Sequence, residues 1–218
     1  MTALVDRANG ALRHVPPWTL YILGALWAGW LFYLGLTGGL GPEPINALER
    51  EYGSVALQLM VAVLLVTPLR RYLGLNLIRF RRQIGLLAFY YVLAHFAVYA
   101  VLDVQSFDRV WADIVKRPFV TVGFAALVLL VPIAVTSNNA SIRRLGAGAW
   151  KRLHWLTYPA AILGAAHYVW LVKGWPIEPF VYLGAVVVLL GIRLWWRASA
   201  RIGQPKTKAA PMAPAQAQ

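Results

Sequence analysis

The chain contains no cysteine. That excludes disulfides, thiolate zinc sites, cysteine-held iron–sulfur clusters and thioether-attached haem. Charge is scarce as well: 13% of the residues are Asp, Glu, Lys or Arg, against roughly 25% in a soluble domain. Acids are the rarer kind, eight against 21 bases. No segment between apolar runs is long enough to fold as a catalytic domain. No glycine-rich phosphate loop stands at a strand–helix junction either, so a nucleotide-binding domain is excluded and any chemistry on a soluble substrate falls to a partner. What fills the chain is apolar. Hydrophobic residues make up 60%, and many of the ten Trp and ten Tyr stand near the ends of apolar runs, as in an interfacial aromatic belt.

The formal net charge of +13 has the size of a nucleic-acid signature. Its location says otherwise. The charges stand in short blocks between apolar runs, which is a membrane pattern, so the expected partner is the lipid bilayer and not nucleic acid. Six runs read as spans: Trp18 to Leu36, Val55 to Thr67, Ile84 to Leu102, Phe119 to Val135, Leu153 to Val172 and Phe180 to Leu194. A full crossing needs about 17–25 residues, so the second and sixth are expected to extend into flanking residues or tilt. Breaker chemistry separates the runs at Gly38–Pro42, Pro68, Arg117–Pro118, Gly146–Gly148 and Gly174–Pro176. The first span is too long for the apolar core of a cleaved signal peptide and is expected to be retained. The predicted fold is all-α, a polytopic bundle of six transmembrane helices.

Assigning the loops alternately to two sides puts 16 of the 21 basic residues on the side of the N-terminus, the loops 68–83 and 136–152, and the C-terminus, with the single acid Asp6. The other side carries seven of the eight acids. An excess of Lys and Arg marks the cytoplasmic face, so both termini are expected in the cytoplasm. The organisation is then a cytoplasmic arm over 1–17, a transmembrane domain over 18–197 and a basic tail over 198–218. The Ala-, Pro- and Gln-rich stretch from Gln204 to Gln218 is expected to be disordered.

Three of the four histidines, His95, His154 and His167, lie in otherwise apolar stretches. A polar ring in lipid without a partner costs several kcal/mol by rough estimate, so their nitrogens must be occupied. Ionisable residues inside spans are functional candidates, and imidazole is the commonest metal-ligating side chain. The alternating topology puts His95 and His167 at similar depth toward the outside, on parallel third and fifth spans. His154, thirteen residues before His167, falls about 20 Å away near the cytoplasmic surface. A haem between two helices takes one axial ligand from each, and His95 with His167 supplies such a pair. The bland alternative is a pair of hydrogen-bonded interhelical histidines. Gly164, Ala165 and Ala166 would let a flat macrocycle approach, with Tyr90, Tyr91, Phe96, Tyr99, Tyr168 and Trp170 as aromatic walls. No histidine faces His154. Arg81, fourteen residues before His95 and nearly on the same helical face, stands there instead, either approaching an iron, pairing with a haem propionate, or serving as an ordinary positive-inside anchor. Thirteen residues turn an ideal helix by about 220°, so His154 and His167 share a face only if Pro159 kinks the helix or changes its phase.

The segments Arg81-Arg82-Gln83-Ile84-Gly85-Leu86 running to His95, Trp150-Lys151-Arg152-Leu153-His154-Trp155-Leu156-Thr157-Tyr158, and His167-Tyr168-Val169-Trp170 together resemble the MsrQ (YedZ) family. Gly38–Gly41, Thr67-Pro68-Leu69 and Arg117-Pro118 extend the resemblance over about residues 18 to 197. That family is the haem-binding membrane subunit of a bacterial periplasmic methionine sulfoxide reductase system, within the ferric-reductase-like transmembrane group. The group holds two b haems between two helices that each carry two histidines. This chain keeps three of those four positions and has Arg81 at the fourth. The resemblance implies b haem, one or two per chain, with His95, His167 and His154 as metal ligands and Arg81 beside the cofactor. It implies a bacterial inner-membrane location and electron flow from the quinone pool to a periplasmic molybdopterin-dependent reductase that repairs oxidised envelope proteins. It also extends to FMN, for which the chain carries no independent motif. Two other functions fit the composition: the membrane part of a ferric or cupric reductase with a detached flavoprotein, and a haem-free transporter or scaffold whose histidines form a polar relay.

Overall fold

The computed structural model describes residues 2–172 and 174–202, and among them every regular element is helical. The stretch 203–218, which holds the expected disordered tail, lies outside the described residues. The N-terminal arm is itself a helix, α1 (Thr2–His14). Next come α2 (Thr19–Leu36), α3 (Pro44–Leu73) and α4 (Arg81–Ala97), the last entered through a 3-10 turn, Ile78–Phe80, and prolonged by a π-helical turn, Val98–Asp103. A short helix, α5 (Phe107–Lys116), leads into α6 (Pro118–Val135). Then α7 (Asn139–Leu153) passes through a 3-10 turn, His154–Leu156, into α8 (Thr157–Leu171), and α9 (Ile177–Ile202) closes the described chain. Five of these stretches are long and apolar enough to cross a membrane: Thr19–Leu36, Pro44–Leu73, Ile78–Asp103, Pro118–Val135 and Ile177–Ala200.

Boundaries follow local chemistry. Pro44 and Pro118 each occupy a helix's first turn, where the missing N–H has no partner to lose. The α3 helix ends at Gly74, whose left-handed φ of 70° suits glycine. Asn138 caps α7 by accepting from the Ser141 amide at 2.8 Å. Gly146, at φ 74° and ψ 152°, interrupts α7 where a turn is expected.

Pro68 is the expectation the structure corrects. It lies inside α3 and does not end it, while the second run extends at both ends, as expected, to 30 residues. A proline within a helix orphans the carbonyl four residues earlier, here that of Leu64. The Arg193 guanidinium, reaching in from α9, donates to that oxygen at 2.7 Å. Arg193 is therefore 9% exposed, buried instead of standing as a solvated basic-side charge. The sixth run likewise extends, as α9, to Ile202, past position 197.

Small and branched side chains close the core. Leu64, Ala88, Ala165 and Val186 are 0% exposed, where α3, α4, α8 and α9 meet. The α2 helix is apolar on all sides and mostly uncovered, as a lipid-facing helix is. Two tyrosines tie it to the bundle: Tyr52 donates to Ala28 O at 2.8 Å and Tyr91 to Gly24 O at 2.7 Å.

The basic segments share one end of the bundle. Asn9 of α1 donates to Gly74 O and accepts from the Asn76 amide, and Arg79 donates to Leu12 and Arg13 carbonyls at the C-terminus of α1. Arg82 reaches Asn139 at 2.8 Å, and Trp196 near the end of α9 donates to Tyr72.

Candidate functional site

The four helices α3, α4, α6 and α8 enclose a cavity of about 780 Å³. Three of the helices wall it with small residues, Gly53 and Ala56 on α3, Gly123 and Ala126 on α6, Ala160, Ala161 and Gly164 on α8. His95 of α4 and His167 of α8 both line it. Their ring centroids are 6.3 Å apart and their planes 74° apart.

Each ring is held by the helix beside it. His95 Nδ1 lies 2.8 Å from the Glu49 carbonyl oxygen of α3, and His167 Nδ1 lies 2.7 Å from that of Phe119 on α6. A carbonyl only accepts, so each Nδ1 carries the proton and each Nε2 keeps its lone pair. Among the described residues neither Nε2 has a hydrogen-bond partner. The wholly buried side-chain polar atoms without one are Gln83 Oε1 and Arg193 Nε, so the histidine Nε2 atoms touch open space, which is the cavity.

This arrangement fits a bis-imidazole metal centre. Two metal–imidazole bonds of about 2.0–2.1 Å separate the ligating nitrogens by about 4 Å, and the two half-rings make up the rest of the distance. Holding the other ring nitrogen on a carbonyl fixes tautomer and orientation, as metal-bound histidines require. Among the described residues no group of three or more His, Asp or Glu side chains gathers at a point. Two such imidazoles could take opposite sides of a metal held in a macrocycle, for which the cavity of about 780 Å³ has room.

The expected aromatic walls are only partly there. Phe96, Tyr99 and Tyr168 line the cavity. Tyr90 and Tyr91 instead line a separate groove against α2, and Trp170 is 60% exposed. The cause is the hydroxyl of Tyr91, which turns its side of α4 toward the Gly24 carbonyl. The supporting carbonyls and the glycines beside the rings are what sequence reasoning missed. A glycine inside an apolar helical run is the available signal for Gly53 and Gly123.

His154 and Arg81 are not part of this cavity. His154 lies on the 3-10 turn before α8, half-buried and stacked on Trp150 at 3.8 Å between centroids. Its Nδ1 is 3.0 Å from the Trp150 carbonyl, and its Nε2 is 3.4 Å from Ser137 Oγ. It therefore holds the same tautomer as the other two. The 3-10 turn, not Pro159, supplies the irregularity between His154 and His167. Pro159 sits in the first turn of α8, where a proline is tolerated. Among the described residues no hydrogen bond or ion pair joins Arg81 to His154.

A family model described as ferric reductase like transmembrane component matches residues 52–165, from within α3 at Tyr52 through α4 to α7 and into α8 as far as Ala165. The chain is also similar to proteins named protein-methionine-sulfoxide reductase heme-binding subunit MsrQ. Those of Brucella anthropi, Brucella ovis and Brucella canis are each 49% identical over 178 residues, covering 81% of this chain and 80% of the relative.

Proposed function

The chain belongs to the MsrQ family of haem-binding membrane subunits, within the ferric-reductase-like transmembrane group, and from that membership we propose that it carries electrons across the bacterial inner membrane through b haem held by His95 and His167. The observation that carries the reading is the pair of imidazoles 6.3 Å apart, each with Nδ1 on a carbonyl of a neighbouring helix. When bound, the haem supplies a one-electron iron couple. The chain's own residues do the rest. His95 and His167 present lone pairs from opposite sides, Glu49 and Phe119 hold their protons by main-chain oxygen, and the apolar walls keep water from the site.

The reading includes six crossings. The 3-10 turn and α8 together rise about 28 Å, close to the roughly 30 Å of a bilayer's apolar core, so 154–171 serves as the fifth. The end gathering α1, the 74–82 segment, α7 and the end of α9 is then cytoplasmic by its Lys and Arg excess, and the mouth with Glu43, Glu49 and Asp103 is periplasmic. The sequence shows no nicotinamide- or flavin-binding motif, which leaves a lipid-soluble donor or a separate protein, and the reading takes a quinol as the donor. The acceptor in this reading is a methionine sulfoxide reductase, as the relatives' name suggests, and the family resemblance makes it periplasmic and molybdopterin-dependent. A quinol added anaerobically to the purified, detergent-solubilised protein is expected to reduce its haem within the mixing time of a spectrophotometer. Reduction only on addition of a flavoprotein with NAD(P)H would replace this reading with that of a ferric-reductase-type membrane component.

His154 extends the proposal to a second haem near the cytoplasmic end, with Arg81 opposite. Its Nδ1–H is bonded to a carbonyl, as in His95 and His167, and Nε2 would coordinate in place of its long 3.4 Å contact with Ser137 Oγ. Pyridine-haemochrome assay is expected to give two haems per chain, falling to one in His154→Ala. One haem in the parent would leave His154 as Ser137's partner only.

A further inference from the structure

The two histidines are packed alike on unrelated stretches of chain. On α3 a carbonyl at Glu49 accepts the ring proton of His95, and four residues on, one helical turn away, stands Gly53. On α6 the carbonyl is that of Phe119, the ring is His167, and four residues on stands Gly123. Each glycine is the notch into which the neighbouring imidazole is pressed. A Cβ at Gly123 would lie 2.8 Å from His167 Nδ1 and 2.9 Å from Cε1. A Cβ at Gly53 would lie 3.1 Å from His95 Nδ1 and 3.4 Å from Cε1. Neither ring is a flexible chain end that swings aside at no cost. Each is pinned by its own hydrogen bond and, on the reading above, by a metal.

We propose that Gly53 and Gly123 are positioning residues that set the rotation of the two axial imidazole planes and keep their Nδ1–H groups on the Glu49 and Phe119 carbonyls. The proposal rests on His95 and His167 being the haem ligands. It follows that the 74° between the rings is built by the notches. Near-perpendicular axial imidazoles leave the iron's two dπ orbitals close in energy, which gives a strongly anisotropic low-spin ferric EPR signal in place of a rhombic one. A carbonyl on Nδ1–H makes the imidazole a stronger donor and favours ferric iron, so displacing the ring from that carbonyl raises the midpoint potential.

The test uses the purified, haem-loaded full chain, with haem-to-protein ratio, ferric EPR and a potentiometric titration measured on the parent, Gly123→Ala, Gly53→Ala and Gly29→Ala. Gly29 of α2 has no heavy atom within 4 Å of an added Cβ and serves as the control for a glycine-to-alanine change in a spanning helix. Gly123→Ala is expected to keep its haem, to shift the largest g value and to raise the potential. Gly53→Ala moves the same readouts less, because its contact is 0.3 Å looser, and it remains measurable if the tighter substitution prevents folding. Gly29→Ala matches the parent. Haem retained with g values and potential unmoved in both notch variants would overturn the proposal and leave the ligand reading standing, as would an equal shift in Gly29→Ala. A colourless parent would overturn the ligand reading and this proposal with it.

Discussion

On the proposed ligand reading, replacing either His95 or His167 with alanine is expected to abolish the Soret band of the haem between them, each single variant losing as much as the double. Loss of a group that merely orients a metal-bound histidine costs about 10–100-fold in affinity, so removal of the ligand itself costs at least that. The two effects do not add because one imidazole of the pair cannot hold a low-spin centre alone. The cavity is large enough for the missing ring to be replaced by a free imidazole, so the chromophore returns in part when imidazole is added to the alanine variant. That rescue separates a lost ligand from a lost fold. An unchanged absorption spectrum in both variants would remove both residues from the iron. It would leave two interhelical histidines bonded to main-chain carbonyls.

Arg193→Met destabilises the protein by about 1–3 kcal/mol, the cost of leaving a buried acceptor unpaired, and most of that loss disappears in a Pro68→Ala background. The sign of the single substitution is a contest. Removing a buried charge is favourable, and more so for one whose Nε has no partner. Against this stands the Leu64 carbonyl, which has no helical amide to fall back on and belongs to a residue fully buried in the core. Pro68→Ala restores the amide, so the coupling between the two substitutions, about 0.5–3 kcal/mol, is the informative quantity. Unfolding the four variants in detergent against a denaturant measures it. Simple additivity would mean that Leu64 does not depend on Arg193.

How far the sequence could be read follows from what each interaction is made of. His95 and His167 could be paired from the sequence, because helical rise converts sequence spacing into depth and charge asymmetry orients the spans. The structure brings the two rings to 6.3 Å between centroids. Their supports could not be read, since the Glu49 and Phe119 groups involved are main-chain oxygens that any residue carries. Pro68 was legible only as a missing N–H. The guanidinium that compensates for it comes from 129 residues beyond Leu64, so Pro68 read as a break in a helix that in fact runs on to Leu73. Tyr91 stands one turn before His95 and shares its face by periodicity, yet its hydroxyl takes it to α2. In each case the deciding contact was a hydrogen bond between helices distant in sequence.

The four walls of the cavity are recruited from two hairpin-like pairs, α3 with α4 and α6 with α8, and the ligand on α8 comes last from the ribosome. By itself α8 is the shortest of the four at 15 residues, with a polar ring that only α6 satisfies. The site is therefore finished by the segment least able to stay in lipid on its own. On the ligand reading the cofactor is the clasp between an early and a late half of the chain, and its binding stabilises their union by about 4 kcal/mol at a thousandfold excess over its dissociation constant. Cells starved of haem would then hold less of this protein, not merely an idle form of it, because membrane proteases would remove chains whose late half had slipped out.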